Sequence, residues 1–167
     1  MCFMDESFDD KLVAVCAVCV KDDEKAYYEL KRVMECSCCP EKARHWFKCS
    51  SFDPQRAIGW LLYFCERGAY VPHKLGETKR KLAEKIISRV YSSVRPTEMV
   101  LDDGLIIGNF EEFVREVKRR YKVECKIREA AGKRVLCKCK RRKKLKRWGI
   151  ELADLISNLY REGVMRG

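Results

Sequence analysis

The chain has 167 residues, enough for one full hydrophobic core or two small lobes. An apolar content of 47% excludes a disordered chain. The longest apolar run, Leu12 to Val20, is too short to cross a bilayer, and the acidic N-terminus lacks the basic region of a signal peptide. We therefore expect a cytoplasmic protein that does not associate with membranes.

The charge is distributed unevenly. The net charge is +11, and the excess of lysine and arginine lies in residues 78–167. Such asymmetry indicates an anionic partner for the basic half, most often nucleic acid. Charged residues make up 37% of the chain while Gln and Asn are scarce, which is typical of proteins from hyperthermophiles.

Eleven cysteines in an intracellular chain favour metal binding, catalysis or burial over a disulfide framework, although intracellular hyperthermophile proteins do carry disulfides. The spacing of Cys16, Cys19, Cys36 and Cys39 is C-x2-C-x16-C-x2-C, which suits a tetrahedral four-thiolate zinc site. Cys38 would substitute for Cys39 if the register differs. The alternatives are an iron–sulfur cluster, or buried cysteines that bind no metal, with or without one disulfide.

The N-terminal half is predicted to be mostly helical. The run Leu12 to Val20 fits a strand or a helix, and only a helix would place Cys16 and Cys19 on one face. Helices are predicted over residues 22–35, 40–48, 55–67 and 78–92. Arg95-Pro96 then marks a lobe boundary. The prediction is a Cys-rich helical lobe over residues 1–95, or one domain continuous with the rest.

The second half, residues 96–167, is predicted as a βαββα lobe with a small antiparallel sheet, which makes the fold class α+β. A strand or hairpin is expected around Asp102-Asp103-Gly104, and Asn109 is expected to cap the next helix with Glu112 as its partner. Alternation predicts a hairpin of residues 123–128 and 135–140, followed by a last helix.

One basic face is predicted from this hairpin and the start of the last helix. Strand alternation and helix position would bring its cations together for phosphate binding. We call this set the basic face: Lys126, Arg128, Arg134, Lys138, Lys140, Arg141, Arg142, Lys143, Lys144, Lys146 and Arg147. No aromatic side chain accompanies it, so we expect RNA or DNA to be bound through its backbone or shape.

The sequence leaves three function classes open. The first is a nucleic-acid-binding protein with a structural cysteine metal site. The second is an enzyme that acts on nucleic acid, or an iron–sulfur or thiolate enzyme with a redox partner. The third is an interaction subunit with buried structural cysteines. No catalytic motif is recognisable. Asp102 and Asp103 could bind a divalent ion, although Gly104 makes a turn the simpler interpretation. If the protein is an enzyme that acts on nucleic acid, this acidic pair is the first candidate for mutation.

Overall fold

The computed structural model describes residues 1–21, 61–130, 135–136, 144–145 and 148–163. The described strands are β1 (Cys2–Phe8), β2 (Leu12–Cys19), β3 (Leu62–Ala69), β4 (Glu98–Leu101), β5 (Lys126–Glu129), β6 (Val135–Leu136) and β7 (Lys144–Leu145). The described helices are α1 (Leu75–Ser93), α2 (Phe110–Tyr121) and α3 (Trp148–Arg161), with a 3-10 turn at Pro72–Lys74.

Five strands form one mixed sheet in the order β3-β2-β1-β4-β5. The first three form an antiparallel meander, and β4 and β5 run parallel to β1. The helices α1 and α2 provide the crossovers that parallel pairing requires. The strands β6 and β7 pair separately with each other. Strands from both sides of the predicted boundary at residues 95 and 96 therefore share one sheet.

The sheet is covered on both faces. Met4, Val15 and Leu101 point to the side covered by α1 and α2. Phe3, Val18 and Val100 point to the side covered by α3. Because β2 is an inner strand buried on both faces, it has an almost continuous apolar sequence rather than an alternating one.

The predicted N-terminal helical lobe is wrong, because the described N-terminal half is rich in strands. The predicted helix over residues 55–67 is wrong where it can be compared, since residues 62–67 belong to β3. A short apolar run does not distinguish a strand from a buried helix. In β3, Phe64 packs with the α1 side and Cys65 with the α3 side, which accounts for apolar residues at successive positions. The predicted helices over residues 22–35 and 40–48 lie outside the described residues.

The predicted antiparallel C-terminal sheet is also wrong. The strand β5 pairs in parallel with β4, and β6 pairs with β7 rather than with β5. Alternation identifies a strand but does not identify its partner. The helix over residues 78–92 is confirmed as α1, and the last helix is confirmed as α3. The Asn109 cap of α2 is confirmed too, because its side chain accepts a hydrogen bond from the Glu112 N–H at 3.0 Å.

Two disulfides connect the three antiparallel strands. Cys2 of β1 is bonded to Cys19 of β2, and Cys16 of β2 is bonded to Cys65 of β3. Each bond joins residues that are direct cross-strand partners. The two bonds lie on opposite faces of the sheet. Among the described cysteines, Cys125 is free and buried.

Removing the bond between Cys16 and Cys65, which are 49 positions apart, is expected to lower stability in oxidising buffer. Loss of loop closure alone predicts about 4 kcal/mol for the double variant Cys16→Ala/Cys65→Ala. The measurement is guanidinium unfolding with and without dithiothreitol. Reductant should remove most of the difference from the parent protein, whereas Cys125→Ala should keep the parent's sensitivity to reductant. Alkylation of both Cys16 and Cys65 in the unreduced native or denatured protein would contradict the assignment.

Candidate metal centre

The pairing of β1 with β4 brings two acidic residues together. Met4 lies opposite Leu101 in this parallel pair, and the Asp102 N–H donates to the Met4 carbonyl oxygen at 2.9 Å. Asp5 follows Met4 on β1, and Asp102 follows Leu101 at the end of β4. In sheets with parallel strands, ligands bind beyond the carboxyl ends of the strands. Asp102 occupies that position, directly after β4.

Asp5, Glu6 and Asp102 form what we call the acidic cluster. One carboxylate oxygen from each lies within 4.8 Å of the others. Asp5 and Asp102 are each only 4% exposed. Three carboxylates that approach this closely in a buried place carry a strong local negative charge, which favours either a proton or a cation.

The pKa of Asp5 reflects its burial and the negative charges around it. Burial raises the pKa of its carboxyl group well above the ordinary value, and the negative charges of Asp102, Asp154 and Glu6 raise it further. A hydrogen bond shared with Glu6 acts in the same direction. Without a cation, Asp5 therefore retains a proton to higher pH than an ordinary aspartate.

Glu6 receives its compensating charge from α1. The Lys79 ammonium lies 3.2 Å from Glu6 Oε1 and donates to the Gly104 carbonyl oxygen at 2.7 Å. The other oxygen, Glu6 Oε2, is buried and has no hydrogen-bond partner among the described residues. The Glu6 side chain is 10% exposed. A buried carboxylate oxygen without a donor is costly, so this oxygen is suited to accepting a bond from a ligand.

Helix α3 brings a fourth acid near the cluster. Asp154 is half-buried, and its charge acts on Asp5. Asn158, one turn later, donates to Asp154 Oδ1 at 3.0 Å and accepts from Ser7 Oγ at 2.8 Å. Ser7 Oγ in turn accepts from Arg161 Nε at 2.7 Å. This chain of hydrogen bonds fixes α3, and with it Asp154, against β1.

A further acid lies on the neighbouring strand. Glu129 ends β5 and pairs with Leu101 of β4. Burial, followed by the charges of Asp103 and Asp102, raises the pKa of the Glu129 carboxyl group. The negative field therefore extends from the middle of β1 across the carboxyl ends of β4 and β5.

The residues present fit a hard divalent cation. The donors are carboxylate oxygens, which suit Mg²⁺, Mn²⁺ or Ca²⁺. Mg²⁺ commonly takes only one or two protein carboxylates and keeps water or substrate oxygens for the rest. Asp5 and Asp102 supply two such carboxylates, and Glu6 offers a third beside them. Asp154 lies close enough to act on Asp5 electrostatically.

The predicted cysteine site is only partly described. Because β2 is a strand, Cys16 and Cys19 lie on opposite faces and are bonded to different partners. In this oxidised form neither sulfur is a thiolate. Cys36, Cys38 and Cys39 lie outside the described residues. A zinc or iron–sulfur site at Cys16, Cys19, Cys36 and Cys39 stays a prediction for the reduced chain.

The predicted basic face is also mostly outside the described side chains. Lys126 is exposed on β5, and Arg128 forms an ion pair with Glu98. For Lys144 only the backbone is described. The remaining members lie outside the described residues: Arg134, Lys138, Lys140, Arg141, Arg142, Lys143, Lys146 and Arg147.

Sequence reasoning identified one member of the acidic cluster. Asp102 belongs to the predicted turn, since the Leu105 N–H donates to the Asp102 carbonyl oxygen at 3.1 Å, and it also belongs to the cluster. Asp103 is exposed. For Asp5 and Glu6 the sequence indicates no more than an acidic N-terminus. An available signal was two acids directly after the apolar residues Cys2-Phe3-Met4.

Comparison with protein-family models gives no match, and a search of curated proteins gives no relative.

Replacing Asp5 with Asn should stabilise the metal-free protein at pH 7. The Asp5 pKa is raised in the folded state, so the folded chain binds this proton more tightly than the unfolded chain, whose aspartate pKa is about 4. Stability from this group is present at low pH and is lost as pH rises from about 4 through the folded pKa. The Asn side chain removes the charge that causes this loss.

The measurement is urea unfolding with EDTA at pH 5 and pH 7. We expect the midpoint of Asp5→Asn to exceed that of the parent protein by more at pH 7 than at pH 5. Asp10→Asn, which removes the same charge from an exposed position, is the control and should show no such pH-dependent gain. A variant less stable than the parent protein at pH 7 would contradict the electrostatic argument.

Proposed function

We propose that the protein binds nucleic acid and hydrolyses its phosphodiester backbone with the help of a divalent metal ion. The observation that carries the proposal is the convergence of three mostly buried carboxylates, Asp5, Glu6 and Asp102, within 4.8 Å. Among the described residues Glu6 Oε2 has no hydrogen-bond donor other than the protonated Asp5 carboxyl group, so a cation that displaces this proton can contact both side chains.

A divalent ion held here would polarise a phosphoryl oxygen and make bound water a better nucleophile. The chain's contribution is to hold that ion rigidly. Asp5 lies on an inner strand, and Asp102 directly follows its parallel neighbour. Asp154 is held by Asn158, which donates to Asp154 Oδ1 and accepts a hydrogen bond from Ser7 Oγ of β1. Binding the ion would displace the proton that the Asp5 carboxyl group otherwise retains.

The charge of the chain supports nucleic acid as the substrate. The acidic cluster would repel an anionic polymer unless other parts of the protein attract it. The net charge of +11 supplies that attraction. The excess of lysine and arginine lies in residues 78–167. The predicted basic face would contact phosphates over several nucleotides, so we propose recognition of the backbone rather than of particular bases.

Cleavage is expected to require Mg²⁺ or Mn²⁺ together with the acidic cluster. The test incubates labelled single-stranded and duplex RNA and DNA with the purified full chain and follows fragments on denaturing gels. Asp5→Asn and Asp102→Asn should each lower the rate by about a hundredfold or more, because each removes a ligand of the charge-stabilising centre. EDTA should stop the reaction.

The matched control for cleavage is again Asp10→Asn, which should retain the parent rate. Binding without cleavage, under every metal and substrate tried, would reduce the protein to a nucleic-acid-binding module. Cleavage that persists in Asp5→Asn would assign the activity to another site or to a contaminant.

Nucleic-acid binding should weaken steeply with salt. Each duplex phosphate contacted contributes a slope of about −0.9 to the plot of log affinity against log salt. We expect reversal of Arg141, Arg142, Lys143 and Lys144 to glutamate to flatten this slope and weaken binding, measured by fluorescence polarisation in EDTA.

A variant with the same change in net charge separates the basic face from charge in general. It reverses four exposed cations elsewhere: Lys11, Lys74, Lys85 and Arg119. This variant should bind more tightly than the variant of the basic face. Equal losses in the two variants would show that only the total charge matters.

A further inference from the structure

Lys79 is a buried cation beside the acidic cluster. It lies in the second turn of α1 and is 4% exposed. Lysine is almost never buried to this extent unless its ammonium group is paired. The aliphatic core of α1 needs no charge at this position, so the contacts of the ammonium group explain its presence.

Those contacts are the kind that a metal ion makes. The Lys79 Nζ atom lies 3.2 Å from the carboxylate oxygen Glu6 Oε1 and 2.7 Å from the carbonyl oxygen of Gly104. The centroid of the Phe8 ring lies 5.9 Å from the same Nζ atom. A carboxylate and a backbone carbonyl are both ordinary ligands of hard cations. The ammonium group therefore occupies a cation position at the border of the acidic cluster.

We propose that the Lys79 ammonium group takes the place of a second metal ion, so that the acidic cluster binds a single divalent ion. This inference rests on the proposed function. In two-metal sites the ions lie about 3.5–4 Å apart and stabilise the attacking and leaving oxygens together. Here one oxygen of Glu6 already contacts an ammonium group, and only Oε2 is left without a partner.

Electrostatics supports the same arrangement. A second divalent ion between Glu6 and the loop at Gly104 would lie beside a positive charge in a poorly hydrated place, where repulsion between like charges is strong. The loop carbonyl holds Lys79 on one side and Glu6 holds it on the other. The ammonium group thus lowers the negative charge of the cluster permanently and leaves Asp5 and Asp102 as the main ligands of the one ion.

The test counts ions in the full chain. Mn²⁺ is titrated by calorimetry and by its electron paramagnetic resonance signal, and ions bound by Asp5→Asn are subtracted as unrelated to the cluster. The parent protein should bind one cluster-dependent ion, and its cleavage rate should depend on the first power of Mn²⁺ concentration. In Lys79→Met, which retains the length and apolar stem, a second ion should bind and the rate should follow the second power.

Two further variants separate this role from a structural one. Lys79→Arg keeps the positive charge and should return the count to one ion, which a merely structural role would not require. Lys81→Met, on the exposed side of α1, should leave both readouts as in the parent protein. If Lys79→Met fails to fold, Lys79→Gln takes its place in the count, because it removes the charge and keeps an N–H donor for Glu6 and Gly104.

The outcomes are distinct. Two cluster-dependent ions in the parent protein, or a single ion in a folded Lys79→Met, would overturn the substitution of a metal ion by Lys79 while leaving metal-dependent cleavage intact. Absence of any cluster-dependent ion in the parent protein, together with absence of cleavage, would overturn the proposed function itself.

Discussion

The electrostatic cost of holding carboxylates together is the constraint on which this structure depends. One carboxylate oxygen from each of Asp5, Glu6 and Asp102 lies within 4.8 Å of the others. The pKa of Asp5 is raised first by burial and then by the neighbouring negative charges. The fold compensates on both faces of the sheet. Lys79 supplies a cation from α1, and the hydrogen bonds of Asn158 hold α3 against β1. Removing either support would allow the carboxylates to separate.

The sheet provides the rigidity that this arrangement needs. Two disulfides link β1, β2 and β3, so that the strand carrying Asp5 is covalently tied to its neighbour. Helix α3 lies directly on the sheet at Gly149, where an added Cβ atom would lie 2.3 Å from the ring of Phe3. The absence of a side chain at this residue therefore sets how closely α3, and with it Asp154, approaches β1.

The sequence predicted the helices better than the site. The helix α1, the Asn109 cap and α3 follow from local periodicity and capping, which are properties of neighbouring residues. The strand β3 was missed because an apolar run has no period that excludes a helix. The site depends on strand pairing between distant segments. The spacing of Cys16 and Cys19 predicts that both bind one metal ion. In the structure each is instead bonded to a cysteine on a neighbouring strand. Asp5 and Asp102 come together only because β1 and β4 pair in parallel.

This dependence on distant segments affects when the acidic cluster can form during synthesis. Asp5 leaves the ribosome early, Asp102 much later, and the helix that carries Asp154 later still. The growing chain presents isolated acids, and isolated acids do not hold a metal ion firmly in water. The three carboxylates therefore come together only after β4 and Asp102 have been translated. The hydrogen bonds that hold α3 against β1 form later still.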